Sequence, residues 1–177
     1  MKKIIVLLVT LILFGCNLSN TPSHEVEKYL DNFINLSDEV KMDIDSKSSY
    51  EALNQENKET YKQALIRQYE NMKYEIKDES INDNTALVKA YVTVFDYYKT
   101  DNLSKEYLNN HIEDFNDVNG LFDNEKYNTY RLGELLKSKD TTTYEVTFNL
   151  KKDSNGNWIL ENPSRETLEK INGFYTN

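Results

Sequence analysis

Polar and apolar residues along this chain repeat first with a helical period, then with a period of two. Val26, Tyr29, Leu30 and Phe33 fall at i, i+3, i+4 and i+7, one apolar helical stripe. The spacing predicts a helix over 23–36, with Ser23 as N-cap and Glu25 and Glu27 near its positive end. Residues 37–46 are polar and read as a turn or a frayed continuation toward Met42. Ser48 and Glu51 fit a capping box ahead of a short helix carrying Leu53. A longer helix is predicted over 58–72, marked on one side by Tyr61, Leu65, Gln68, Tyr69 and Met72.

The period then changes. Tyr74 and Ile76 alternate with charged residues, and residues 81–84 read as a turn. Residues 85–98 carry the strongest strand pattern, with Ala86, Val88, Ala90, Val92 and Val94 as one small, branched face. Leu87, Tyr91, Phe95 and Tyr97 give the opposite face an aromatic character. Residues 101–139 interrupt the strands. Ser104 reads as the cap of a helix running to Phe115, Asn119-Gly120 as a break, and 125–136 as a second helical piece or an irregular excursion. Alternation returns with Tyr144, Val146, Phe148 and Leu150. The run 153–157, DSNGN, is a hairpin turn in which Asn-Gly supplies positive φ, and Trp158-Ile159-Leu160 is the returning strand. Ser164 then caps a last helix bearing Leu168 and Ile171. Helices followed by an antiparallel sheet with one helical insertion make an α+β class, expected as a single unit over 23–177.

The first 22 residues follow neither pattern. Lys2 and Lys3 precede an uncharged run from Ile4 to Phe14. Eleven residues reach about 16 Å as a helix, against roughly 30 Å of hydrocarbon in a bilayer. The run is therefore too short to span a membrane and has the length of a signal-peptide core. Leu13-Phe14-Gly15-Cys16 resembles the bacterial lipobox, although Phe14 is bulkier than usual at its place. That resemblance implies cleavage before Cys16 and a diacylglycerol on its thiol. Residues 1–15 would be a lipoprotein signal peptide and 16–22 a tether, with the domain on the extracytoplasmic face of the cell membrane. The plainer alternative is an ordinary secretory signal with an incidental cysteine. Two acyl chains hold a protein stably where one does not, so the folded part would need no membrane-binding surface of its own.

Charge and composition narrow the partners. Removing the first 15 of 177 residues leaves 162, and losing Lys2 and Lys3 takes the formal charge from −9 to −11. An acidic chain lacks the basic footprint that nucleic acid or anionic lipid requires. Cys16 is the single cysteine, so once it is acylated no thiol remains for a disulfide or a zinc-thiolate site. Aromatic residues make up 12% of the chain, which argues against a disordered tail.

The helix SHEVEKYLDNFINL, two further helices, long strands, the hairpin DSNGNW and a closing helix together resemble the nuclear-transport-factor-2-like (cystatin-like) domains of bacterial lipoproteins. The resemblance covers about residues 23–175 and implies a curved sheet wrapped around the first helix as a cone with a pocket. The long 101–139 insertion departs from it. The family includes enzymes, binders and structural modules, so fold alone does not assign function.

Candidate chemistry is sparse. Asp96, on the face of Val92 and Val94, would be a base only if pushed into the apolar interior; the plainer reading is a solvated strand end. His24 and His111 lack partners at ligand spacing. In DSNGN the glycine, Gly156, is misplaced for a calcium loop, and Ser164 stands at the twelfth position, where such a loop has glutamate. Glu113, Asp114, Asp117, Asp123 and Glu125 form an acidic stretch that reads as a solvated face before a weak cation site. No metal or cofactor is expected. Tyr91, Phe95, Tyr97 and Trp158 are the candidate pocket residues, with ordinary core packing as the alternative. The expectation is a non-enzymatic, lipid-anchored module of the cell envelope that binds a protein partner. Alternatives are a small apolar ligand in the cone pocket, or an isomerase- or dehydratase-like activity.

Overall fold

The structure is a computed structural model that describes residues 20–50 and 52–176. Cys16 and the predicted signal peptide lie outside the described residues. Three helices come first: α1 (Pro22–Ile34), α2 (Asp38–Tyr50) and α3 (Gln55–Glu70). Two strands follow, β1 (Lys73–Asn82) and β2 (Thr85–Phe95), then α4 (Tyr97–Asn110), a 3-10 turn (Ile112–Phe115) and α5 (Asn124–Lys137). β3 (Thr141–Lys152), β4 (Trp158–Leu160) and α6 (Arg165–Asn172) complete the chain. The strands form one antiparallel sheet in the order β1-β2-β3-β4. The architecture is α+β, with helices packed on one face of the sheet.

Side-chain alternation decides which face. Every second residue of β2 from Ala86 to Val94 is buried, and Tyr144, Val146, Phe148 and Leu150 do the same in β3. Register sets small against large, with Val88 opposite Phe148 and Ala90 opposite Val146. Val26, Leu30 and Phe33 of α1 close over this face. Tyr29 meets Phe148 edge-on at 5.8 Å, and Phe33 meets Tyr69 of α3 at 5.0 Å. Each large apolar side chain so buried contributes about 1.5–3 kcal/mol. β1 is an open edge, kept from further pairing by its charges and by a bulge at Lys77.

Five sequence expectations are corrected. Residues 38–46 are neither a turn nor a frayed continuation of α1: they begin α2, whose buried residues among those described are Val40, Ile44 and Ser48. Ser48 is inside this helix, its hydroxyl donating to the Asp45 carbonyl at 2.8 Å, and Asn54 caps α3 instead. The corner between α1 and α2 is made by Leu36 with φ 49°. At α1 the cap is Thr21, which accepts from the His24 amide at 3.2 Å, while Ser23 binds Glu79 of β1. β2 stops at Phe95, because the Asp96 side chain accepts the Lys99 amide at 2.9 Å and starts α4. Ser104 is buried within α4 and donates to the Thr100 carbonyl, so it caps nothing.

The insertion does not cover the outer face of the sheet. α4 and α5 pack on α3 and build a second core from Leu53, Ala64, Tyr97, Leu132 and Leu135. Asp101, between the two helices, is paired with Arg131 at 3.2 Å and Lys105 at 2.6 Å. The two cores meet at the fully buried Gln68. Its amide nitrogen donates to the Phe95 and Asn172 carbonyls, both at 2.9 Å, and its oxygen accepts the Phe95 N–H at 2.8 Å. One side chain thus ties α3 to the end of β2 and to the end of α6.

Candidate functional site

A cleft opens where α1 and α2 approach the segment leading into α6. It encloses about 480 Å³, within the range of small-molecule sites. Tyr29, Phe33, Val40, Pro163 and Leu168 supply its apolar wall, and Asp43 and Lys47 its charged end. The Lys47 ammonium is held by Asp43 at 2.7 Å, the Tyr69 hydroxyl at 3.2 Å and the Asn172 side-chain oxygen at 3.3 Å. Burial and the nearby Asp43 carboxylate push the Tyr29 hydroxyl up to about 12. Tyr69 moves the same way, chiefly through burial. Both hydroxyls therefore stay protonated near neutral pH; Tyr29 lines the cleft, whereas the buried Tyr69 hydroxyl donates to the Asn172 side-chain oxygen at 2.7 Å.

The four sequence candidates sit elsewhere. Tyr91 is on the outer face of the sheet, with the Lys77 ammonium 4.8 Å from its ring centre. Phe95 ends β2 beneath the Arg67 guanidinium at 3.8 Å. Tyr97 stacks on Phe95 with centroids 6.2 Å apart, but is buried in the second core, where its hydroxyl donates to the Ala64 carbonyl at 2.8 Å. Burial raises its pKa to about 12 against the lowering effect of Arg67. Trp158 is buried in the main core at the sheet edge, and its N–H of the main chain donates to Asn20. The fold thus joins Phe95 with Tyr97 and leaves Tyr91 and Trp158 apart from them and from each other.

The remaining candidates have local duties. Asp96 is the α4 cap already described. His24 lies 3.7 Å from Glu27, and His111 stacks on Tyr107 at 4.2 Å. Asp153 accepts the amides of Asn155 and Asn157 and so closes the hairpin; these bonds lower its pKa. Among the described residues no group of three or more His, Cys, Asp or Glu could hold a metal ion. Nor is any described helix long and apolar enough to cross a membrane.

A second feature was not anticipated. The loop between α4 and α5 presents Val118, Leu121, Ile112 and Phe122 outward, 99%, 67%, 53% and 46% exposed. It is held in shape from within. The Asp117 carboxylate accepts the Asn119 and Leu121 amides at 2.8 and 2.9 Å, and those bonds lower its pKa. Asn116 pairs with Phe122 across a bridge, and Asp123 caps α5. Lys126 donates to the Asn116 carbonyl at 2.6 Å. Below it Phe115 is buried against Tyr107, Tyr127 and Tyr130. These apolar residues have no helical or strand period, so the sequence pattern held no signal for them.

Comparison with known proteins gives little to add. No family model and no curated protein matches the chain. Among solved structures it is similar to a candidate lipoprotein (ycdA) from Bacillus subtilis, at 14% identity and a TM-score of 0.46. The match covers 89% of this chain, which spans about half, 51%, of that one. A likeness at this level carries no argument about function.

Proposed function

We propose that the chain is a lipid-anchored, non-enzymatic binding module of the cell envelope, attached through a diacylglycerol on Cys16 and working by docking a partner protein. The address rests on the lipobox-like LFGC sequence. The docking role rests on one observation, the ordered loop that keeps four large apolar side chains in solvent. Exposed apolar residues scattered singly need no explanation, but a cluster on a braced loop marks an interaction surface. Pre-organisation of this kind removes much of the ordering cost of binding. The tether is short, since Thr21 already caps α1 and Pro22 is buried in its first turn. The nuclear-transport-factor-2-like likeness belongs to this reading, supported by α1 on an antiparallel sheet and by the Asn-Gly hairpin.

A second reading, a small and largely apolar ligand, is favoured by the cleft between α1 and α2. The Tyr29 hydroxyl and the Lys47 ammonium, both in its lining, would orient a polar end of such a ligand. The two readings separate experimentally. Cys16→Ala should abolish lipid labelling and shift the protein out of the membrane fraction; unchanged retention refutes the anchor. Leu121→Asp should abolish partner association while leaving ligand binding in the cleft intact, and the opposite result favours the second reading.

A further inference from the structure

We infer that the loop between α4 and α5 docks into an apolar pocket rimmed by lysine and arginine on a partner protein, and not into lipid. This rests on the docking reading above and adds the chemistry of the partner. The segment 111–123, HIEDFNDVNGLFD, holds four carboxylates and no lysine or arginine. Glu113 and Asp114 are exposed beside Ile112, so acid and apolar surfaces share one edge.

The hydrogen bonds that these carboxylates receive come from neutral donors. Asp117 takes main-chain amides, Asp123 takes the Glu125 and Lys126 amides, and Asp114 takes the Tyr107 hydroxyl at 3.0 Å. Neutral donors hold a carboxylate in place without cancelling its charge. Beside the loop lies a shallow depression of about 390 Å³ lined by Asp114, Asp123, Glu125 and Lys126. Three carboxylates against one ammonium leave it negative, and that ammonium is already turned to the Asn116 carbonyl. A guanidinium or ammonium of a partner would find there the opposite charge, on the same arm as the exposed Val118 and Leu121. Complementarity of this kind selects partners and speeds encounter.

A bilayer fits poorly. Inserting Val118 and Leu121 would carry the neighbouring carboxylates against anionic headgroups and into a region that penalises charge. The arm also departs from the sheet end at Phe95 and Thr141, whereas Asn20 joins at the other end, beside Trp158. The surface is thus attached to the end of the sheet opposite the one the anchor enters.

The test places a photo-crosslinking amino acid at Val118 of the full-length chain in its native membrane, with Thr147 on the outer sheet face as the comparison position. The crosslinked peptide is identified by mass spectrometry. The expected result is a discrete protein adduct at Val118, absent at Thr147, whose crosslinked segment is net positive. Its yield should fall about tenfold in Glu113→Lys/Asp114→Lys, and should fall as salt rises. A discrete adduct to a neutral or acidic segment, indifferent to salt, overturns the inference but keeps the docking reading. A phospholipid adduct overturns the inference in favour of lipid. No adduct at Val118, or equal adducts at both positions, overturns both.

Discussion

Gln68→Ala should be among the most damaging single changes in the protein. The side chain is fully buried and serves three hydrogen bonds of 2.8–2.9 Å. Truncation strands the Phe95 N–H, the Phe95 carbonyl and the Asn172 carbonyl in the interior. A hydrogen bond in such a setting contributes about 1 kcal/mol net, and a group left dry costs about 1–3 kcal/mol. Three groups give about 3 kcal/mol if water enters the space and about 5 kcal/mol if two of them stay dry. With a urea m-value of about 2 kcal/mol/M, the midpoint should drop by about 1.5–2.5 M. Gln68→Met, which keeps the length but not the donors, should lose nearly as much, because the polar groups and not the volume are responsible. Gly173 reaches the same place from α6. It has φ 78°, and a methyl there would collide with the Gln68 amide and the Phe95 carbonyl. Gly173→Ala should therefore destabilise strongly, and the double variant by less than the sum of the singles. A midpoint shift below about 0.3 M for Gln68→Met, or strict additivity of the pair, would refute the idea that one polar knot joins the two cores.

Three further outcomes follow from the packing and the caps. Trp158→Ala should cost about 3–5 kcal/mol in urea unfolding, given a ring buried in the main core; a loss under about 0.5 kcal/mol would place it at the surface. A lipid-free chain starting at Asn20 should unfold cooperatively, and one starting at Ser23 should be about 1 kcal/mol weaker for want of the Thr21 cap; equal midpoints would dismiss the cap. Tyr29 and Tyr97 hold their protons up to about 12, above the usual tyrosine value of about 10. The folded state thus binds those protons more tightly than the unfolded chain. The stability involved is complete below about pH 10 and is lost as pH rises toward 12. Tyrosinate absorbance should show a late-titrating group of hydroxyls in the folded protein, Tyr69 and Tyr74 among them, from which Tyr29→Phe and Tyr97→Phe each remove one; an unchanged alkaline titration would contradict this.

The sheet was legible in the sequence because β2 and β3 alternate almost without error, and one buried face demands that alternation. α1 and α6 were legible for the matching reason, an apolar stripe with polar flanks, whereas 125–136 carried no such stripe and stayed open between a helix and an irregular excursion. α2 was not legible, since among its described residues only two apolar side chains, Val40 and Ile44, are buried, which suffices when a helix only leans on its neighbours. Tyr97 misled because two tyrosines after a strand read as more strand, whereas the Asp96 carboxylate captures an amide and turns the chain into α4. The candidate site was less legible. Tyr91, Phe95 and Tyr97 shared a pattern along the chain, but only Phe95 and Tyr97 meet in space, and Trp158 lies apart from them in the main core. The cleft and the apolar loop both arise from contacts distant in sequence: α1 with the α6 approach, and α4 with α5.

Intact-mass and N-terminal analysis of the protein extracted from its native membrane tests the central claim most directly. A lipid-anchored protein should yield a chain whose first residue is Cys16 and whose mass exceeds that of residues 16–177 by at least one diacylglyceryl group. A chain that begins at any other residue, or an unmodified Cys16, would contradict it.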